Sequence, residues 1–236
     1  MILLSKPQFA TLAFICALIV TGCSSGSKQA APFNPPAMIN LSAHAAQHIV
    51  AVPGGSLGLR PFFQPAEGTA LPPNADSRRL IDGLQVITTL TNSPTALLAL
   101  KPSFGEVKIT APSPLDLENA APGYYKVRQL DGSFFIEATT TPRTGLCTFR
   151  FPNGRVFVAV EPLGSDSWLR LANPLEIEGH TTVAVRGGAS MRMFFVVRFQ
   201  WSAVAGGVLK NGIILPETVS EVAGDRLGAY FGFRAL

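Results

Sequence analysis

Two hairpin signals lie close together between Glu118 and Val160, and they restrict the fold more than any other feature of the chain. Asp131-Gly132 and Asn153-Gly154 are the pairs that a two-residue β-hairpin favours, because both central positions need φ > 0. Around them the sequence alternates. Tyr125 and Val127 fall on one face of residues 124–130, with Lys126 and Arg128 on the other. Residues 134–141 are aromatic and β-branched, Pro142 and Gly145 interrupt them, 146–151 resume, and 156–160 follow the second signal. Pro122-Gly123 opens the run with a fixed φ and then a free one. This spacing predicts four short strands joined by tight turns.

The β pattern extends in both directions. Residues 47–52, 83–90, 96–100 and 104–110 read as strands, the last by Val107 and Ile109 alternating with Glu106 and Lys108. Downstream, Met191, Met193, Phe195, Val197, Phe199 and Trp201 share one face, and Arg192, Arg198 and Gln200 the other. The first face is core in a two-layer sandwich, with Trp201 inside it. Phe194 and Val196 on the second face suit a central strand. Gly206-Gly207 and Lys210-Asn211-Gly212 read as turns, and Leu227, Ala229, Phe231 and Phe233 as a closing strand. With roughly fourteen short strands and no amphipathic helix, the expected class is all-β: a large two-sheet antiparallel β-sandwich of the supersandwich kind.

The same central stretch carries a family resemblance. Glu118-x-Ala-x-Pro-Gly-Tyr124-Tyr125, then Ala138-Thr139, Arg143-x-Gly145, and Phe149-x-Phe151-Pro152 resemble the N-terminal β-sandwich domain of glycoside hydrolase family 92. Leu175-Glu176-Ile177-Glu178-Gly179, residues 191–201 and Ala229-Tyr230-Phe231-Gly232-Phe233 continue it in order. The resemblance implies kinship with calcium-dependent α-mannosidases, in which this domain precedes a helical barrel supplying the general acid and base. It also shows departures. Residues 84–89 stand where the family has cleft histidines, so that Val86 and Thr88 replace imidazoles. Pro114-Leu115 replaces a Ser-His, and Cys147 the histidine after Arg-x-Gly. The scaffold is kept while the polar groups toward the sugar are lost. Since the resemblance places the acid and base on a barrel outside the matched domain, it implies a stand-alone, non-catalytic domain, expected to hold no cofactor or metal.

The first 22 residues read as a leader. Lys6 precedes an apolar run over residues 9–20, too short to span a bilayer, and Val20-Thr21-Gly22-Cys23 fits a bacterial lipobox. The resemblance to lipoprotein signals implies that cleavage there leaves Cys23 as an N-terminus carrying diacylglycerol and palmitate-type chains, with Ser24 favouring the outer membrane. An ordinary secretory signal and a short buried helix with a chance cysteine are the alternatives. Residues 23–36 form a Ser-, Ala- and Pro-rich tether, and 37–236 the domain. Cys16 leaves with the leader, so Cys147 is the sole remaining thiol, and neither an intrachain disulfide nor a cysteine metal cluster can form. Of 19 basic residues Lys6 is lost, leaving 18 against 15 acids, far from the basic density of a nucleic-acid binder.

Several constellations have residue types that could carry chemistry. Gly54-Gly55-Ser56-Leu57-Gly58 has the form of a nucleophile elbow, but Arg60-Pro61 and Pro65 spoil the helix that must follow, so it reads as a turn. His44 and His48 have helical ligand spacing and no third ligand. Glu176 and Glu178 share a strand face but read as solvated. Trp168, in a polar stretch, is the expected sugar-stacking residue, with Glu118 and Arg143 as further carbohydrate contacts. The expected function is a lipid-anchored envelope protein that binds a mannoside-type glycan or docks a partner. The alternatives are the non-catalytic part of a split or truncated α-mannosidase needing a separate barrel chain, and a purely structural lipoprotein.

Overall fold

A computed structural model describes residues 17–21, 50–51, 57–64, 80–88, 94–108, 113–121, 123–129, 134–151, 154–184 and 188–235. Seventeen strands and no helix occur among them. One antiparallel sheet, here called A, runs in the order β6 (Ser113–Ala121), β7 (Tyr124–Gln129), β8 (Phe135–Thr140), β9 (Thr144–Arg150), β1 (Ala17–Thr21), β13 (Ser190–Arg198), β12 (Glu176–Ala184), β11 (Ser165–Asn173) and β16 (Glu221–Gly224). Sheet B runs β2 (Val50–Ala51), β3 (Leu57–Gln64), β4 (Leu80–Thr88), β5 (Thr95–Phe104), β10 (Gly154–Pro162), β17 (Leu227–Ala235), β14 (Ala205–Lys210) and β15 (Ile213–Ile214). A short β4–β6 ladder, Leu80↔Pro114 and Ile81↔Ser113, links the two. The architecture is the expected β-sandwich.

The alternating strands bury the faces their sequences assign. Tyr125 and Val127 on β7, Phe195 and Val197 on β13, and Leu227, Ala229, Phe231 and Phe233 on β17 are all buried in one core. Phe199 packs against Phe231 and Phe233 with both ring centroids 5.4 Å away. Burial of these rings supplies the main drive for the sheets to stack.

Five local expectations are corrected. Asn153-Gly154 does not join a hairpin: β9 stays in sheet A, while β10 starts at Gly154 and pairs with β5 and β17 of sheet B. The chain crosses between layers there because 156–160 are buried on both faces and belong at the centre of sheet B. The β8–β9 hairpin instead turns at Pro142-Arg143, closed by Thr141 N–H donating to Thr144 O at 2.7 Å, and Gly145 lies inside β9 against Leu59. Residues 105–108 are not a strand: Gly105, at φ +82°, turns the chain and donates to Arg155 O. Gly206-Gly207 lie inside β14, where the Phe231 and Tyr230 rings occupy the space a Cβ would need. Trp201 is 37% exposed rather than core, because β13 ends at Arg198 and the chain bends as Phe199 N–H donates to Leu175 O and Ala203 N–H to Pro174 O. The β7–β8 hairpin forms, but its Asp131-Gly132 turn lies outside the described residues. Lys210-Asn211-Gly212 is a turn as read, with Asn211 and Gly212 at φ +55° and +80°.

Candidate functional site

The outer face of sheet A carries a cross-strand row of aromatic rings. Trp168 on β11 stands opposite His180 on β12, which stands opposite Phe194 on β13. Residues directly opposed on neighbouring antiparallel strands share a face and touch. The Trp168 and His180 rings stack with centroids 6.0 Å apart and planes 23° from parallel, and Phe194 follows at 5.6 Å from His180. Trp168 and His180 are half-buried, whereas Phe194 is 50% exposed, a large apolar surface for a central strand.

The backbone beneath the row is set by sequence. The β11–β12 register slips between Ser165 and Trp168, where Asp166 adopts φ +44°. Such a bulge re-aims the side chains that follow it. Ser167 turns inward and shares a hydrogen bond of 2.8 Å with the Thr181 hydroxyl, leaving Trp168 on the outer face. Gly179, between Glu178 and His180, is required by crowding, since a Cβ there would strike the Trp168 carbonyl and come within 2.8 Å of the Phe195 ring. The glycine of the Leu-Glu-Ile-Glu-Gly motif thus lets β11 and a core phenylalanine approach the strand that holds His180.

Ion pairs frame the row. Arg170 donates to Glu178, Arg198 to Glu176 at 2.6 Å, and Arg192 to Asp166 at 2.5 Å. The Arg170 guanidinium also lies 5.6 Å from the Trp168 ring centre. Glu176 and Glu178 are therefore partners of arginines in water. Burial, and then the positive charge of Arg192, hold the His180 imidazole below its ordinary pKa, with Asp166 opposing. The result is an apolar strip crossing three strands, bordered by hydrogen-bonding groups of both signs. Sugar rings are matched by surfaces of this kind, their C–H faces by rings and their hydroxyls by the rim.

A second outer-face group occupies the other half of sheet A. Glu137 accepts hydrogen bonds from the Tyr124 hydroxyl at 2.7 Å and from Arg150 at 2.8 Å. The bond to Glu137 pushes the Tyr124 hydroxyl up to about 12. Lys126 and Arg150 lie over the Phe135 ring. These charges satisfy one another. A cleft of about 590 Å³ lies at the end of the sandwich, among Glu161, Ser165, Asn211, Asp225 and Arg226. Behind it Lys101 bridges Glu161 at 2.7 Å and Asp82 at 3.7 Å. Burial raises the Glu161 pKa against the pull of Lys101.

The three carbohydrate-contact residues expected from sequence share sheet A but are not brought together. Trp168 is on β11, Arg143 is exposed at the β8–β9 turn, and Glu118 is on β6 opposite Val127. Four to seven strand spacings of about 4.8 Å separate Trp168 from the other two, and two to three separate Arg143 from Glu118. His180 and Phe194 were not singled out from sequence. A bulge between Leu171 and Asn173 hides the pairing, since an unshifted count from the β11–β12 hairpin would set Trp168 against Thr181. Val86 and Thr88 are fully buried in sheet B, and Cys147 is buried on β9. Cys23, His44, His48 and residues 54–56 of the glycine turn lie outside the described residues, while Leu57 and Gly58, read as the end of that turn, belong instead to β3, where Gly58 pairs with Ala51 and Ile87. Among the described residues no three His, Cys, Asp or Glu side chains converge as metal ligands.

Comparison with known proteins agrees with the architecture. Residues 90–235 match the family described as the glycosyl hydrolase family 92 N-terminal domain. Among solved structures, a family GH92 α-mannosidase from Bacteroides thetaiotaomicron superposes with a TM-score of 0.64 at 20% identity, over 79% of this chain and 29% of that one. A family GH92 inverting mannosidase from Bacteroides thetaiotaomicron gives 0.63 at 22% identity, over 80% and 26%. The chain thus spans less than a third of the length of either enzyme. No curated protein matches.

Proposed function

The chain belongs to the glycosyl hydrolase family 92 N-terminal domain family, and on that premise we propose that it is a lipid-anchored, non-catalytic glycan-binding module of the bacterial cell envelope. The observation that carries the binding reading is the Trp168–His180–Phe194 row with its rim of arginines and carboxylates. A mannoside-type ligand lays the C–H face of a pyranose on the exposed Phe194 ring, while the rim, Arg192 and Asp166 foremost, exchanges hydrogen bonds with its hydroxyls. A shallow, wet site of this sort binds weakly, with Kd on the order of 1 mM per site. A lipid anchor at Cys23 offsets that weakness by concentrating many copies on one surface. Two or more acyl chains hold a protein to a membrane, where one is marginal.

The test is retention of the purified chain on immobilised α-mannan. Phe194→Ala and Trp168→Ala should each reduce retention at least tenfold with an unchanged far-ultraviolet spectrum. Equal retention of all three proteins contradicts the reading. Turnover of an aryl α-mannoside by the chain alone, with calcium, and its loss in Glu178→Gln, would make it an enzyme instead. Anchoring is tested separately. Cys23→Ala should block processing and release from the detergent phase should follow; a processed, membrane-bound Cys23→Ala protein contradicts it.

A second reading takes the chain as the non-catalytic part of a split α-mannosidase. Its support is that the chain covers only 29% and 26% of the mannosidases it superposes on. Mannosidase activity appearing only when a separately encoded barrel chain is added would establish it.

A further inference from the structure

Sheet A is continuous only because β1 lies between β9 and β13. Among the described residues β13 pairs with β12 and β1, and β9 with β8 and β1, while no ladder joins β9 to β13 directly. β1 matches β13 over five successive positions, from Ala17↔Arg198 to Thr21↔Phe194, and meets β9 at Leu18↔Gly145 and Ile19↔Thr144. On the anchoring reading above, those residues also fall inside the leader that is cut off before Cys23. On that reading a central strand and a removable leader occupy one segment.

Resting on the anchoring reading above, we propose that the mature domain presents an open strand-acceptor slot between β9 and β13, filled by an extended, uncharged segment of a different envelope polypeptide running antiparallel to β13. With 17–21 gone, the facing N–H and C=O groups of β13 and β9 lose their partners in mid-sheet. Unpaired backbone groups are costly when shielded from water, and an open edge templates pairing with another chain. The walls of the slot define the donor. Phe195 and Val197 of β13 are buried, and Gly145 of β9 backs onto Leu59 of sheet B at 3.2 Å from where a Cβ would stand. Apolar residues must therefore stand opposite Val197 and Phe195, as Leu18 and Val20 do in register. The position opposite exposed Phe194 admits a small polar residue, as Thr21 is. Main-chain bonds supply affinity in such strand addition, and alternate side chains supply selection. Another mature copy cannot donate this segment, because every mature copy has lost it.

The experiment uses the protein extracted from the membrane fraction, its N-terminus read by mass spectrometry. The probe is a fluorescent peptide of the sequence Ala17–Thr21 flanked by lysines, followed by anisotropy and by thermal melting. Processed protein should bind it saturably and melt several degrees higher. The Ile19→Pro peptide, lacking a central N–H and fitting poorly in mid-sheet, should bind at least tenfold more weakly. A processed protein that ignores the peptide, or binds both peptides equally, overturns the slot and leaves the anchoring reading intact. An unprocessed N-terminus overturns the anchoring reading and the open slot with it. Dimerisation of processed protein that the peptide reverses overturns the assignment of the donor to a different polypeptide.

Discussion

β12 and β5 are both central strands of their sheets, yet only β12 alternates. Its residues run half-buried and buried in turn, whereas β5 is buried without a break from Leu97 to Ser103. The outer face of sheet A meets water. The outer face of sheet B at β4, β5 and β10 does not: Ile87, Leu97, Ala99, Phe157 and Ala159 are as buried as the core residues that alternate with them. Charges follow the same division. On sheet B, Lys101 is enclosed with Asp82 and Glu161 and lies over the Phe62 ring, and Ser103 is bonded to Glu106 and Lys108. Polar groups there satisfy the fold, because a buried charge without a partner is expensive. On sheet A, Arg170, Arg192 and Arg198 are paired in water beside exposed aromatic surface and can exchange partners with a ligand. Similar side chains are structural on one sheet and available on the other.

Three comparisons probe that contrast, in falling order of their largest effect. Phe199→Ala should lose roughly 3–5 kcal/mol of stability, since the ring fills the core between Phe231 and Phe233. Arg198→Ala next to it removes only an exposed ion pair and should lose about 0–1 kcal/mol. Chemical denaturation separates the two, and equal losses would mean that the assignment of faces on β13 is wrong.

Lys101→Met should lose about 2–3 kcal/mol at neutral pH by leaving Asp82 and Glu161 without their ammonium. The pH dependence has a definite sign. A carboxyl whose folded pKa is raised, as that of Glu161 is, binds more protons folded than unfolded, so stability falls as pH rises through that window. The variant should therefore recover stability on acidification toward pH 5. Arg170→Met on sheet A should lose less than about 1 kcal/mol and show no such recovery. A Lys101→Met protein as stable as Arg170→Met would erase the distinction between the sheets.

The smallest effect concerns His180. Its folded pKa lies below the ordinary value of 6.5, so its contribution to stability is complete above about pH 6.5 and declines as pH falls toward the folded value. Trp168 fluorescence should change over that range, because the imidazole stacked on it becomes an imidazolium. The change should be absent in His180→Gln, and its persistence there would assign it to another group.

Much of the fold was legible where one face of a strand meets water. β7, β13 and β17 alternate, and their buried residues could be named from the sequence. Where both faces are covered the pattern disappears, and there the turn signals misled. Asn153-Gly154 read as a hairpin because nothing local shows that 156–160 belong to the other sheet. Gly206-Gly207 read as a turn because the Phe231 and Tyr230 rings that require glycine come from β17. β6 is not legible in the sequence, since its Pro114 and polar residues obscure its strand character. Of the binding row only Trp168 was found. His180 and Phe194 join it through a bulged register and a third strand, and no single stretch of sequence contains that juxtaposition.

The central claim is that the water-facing side of sheet A, and not the cleft at the end of the sandwich, receives the ligand. Backbone amide chemical-shift mapping during titration with a soluble α-mannoside tests it directly. The account predicts shifts concentrated on residues 166–170, 178–182 and 192–196, saturating together and vanishing in Phe194→Ala. Shifts concentrated instead on residues 161–165, 209–212 and 225–228 around the cleft, unaffected by Phe194→Ala, would contradict it.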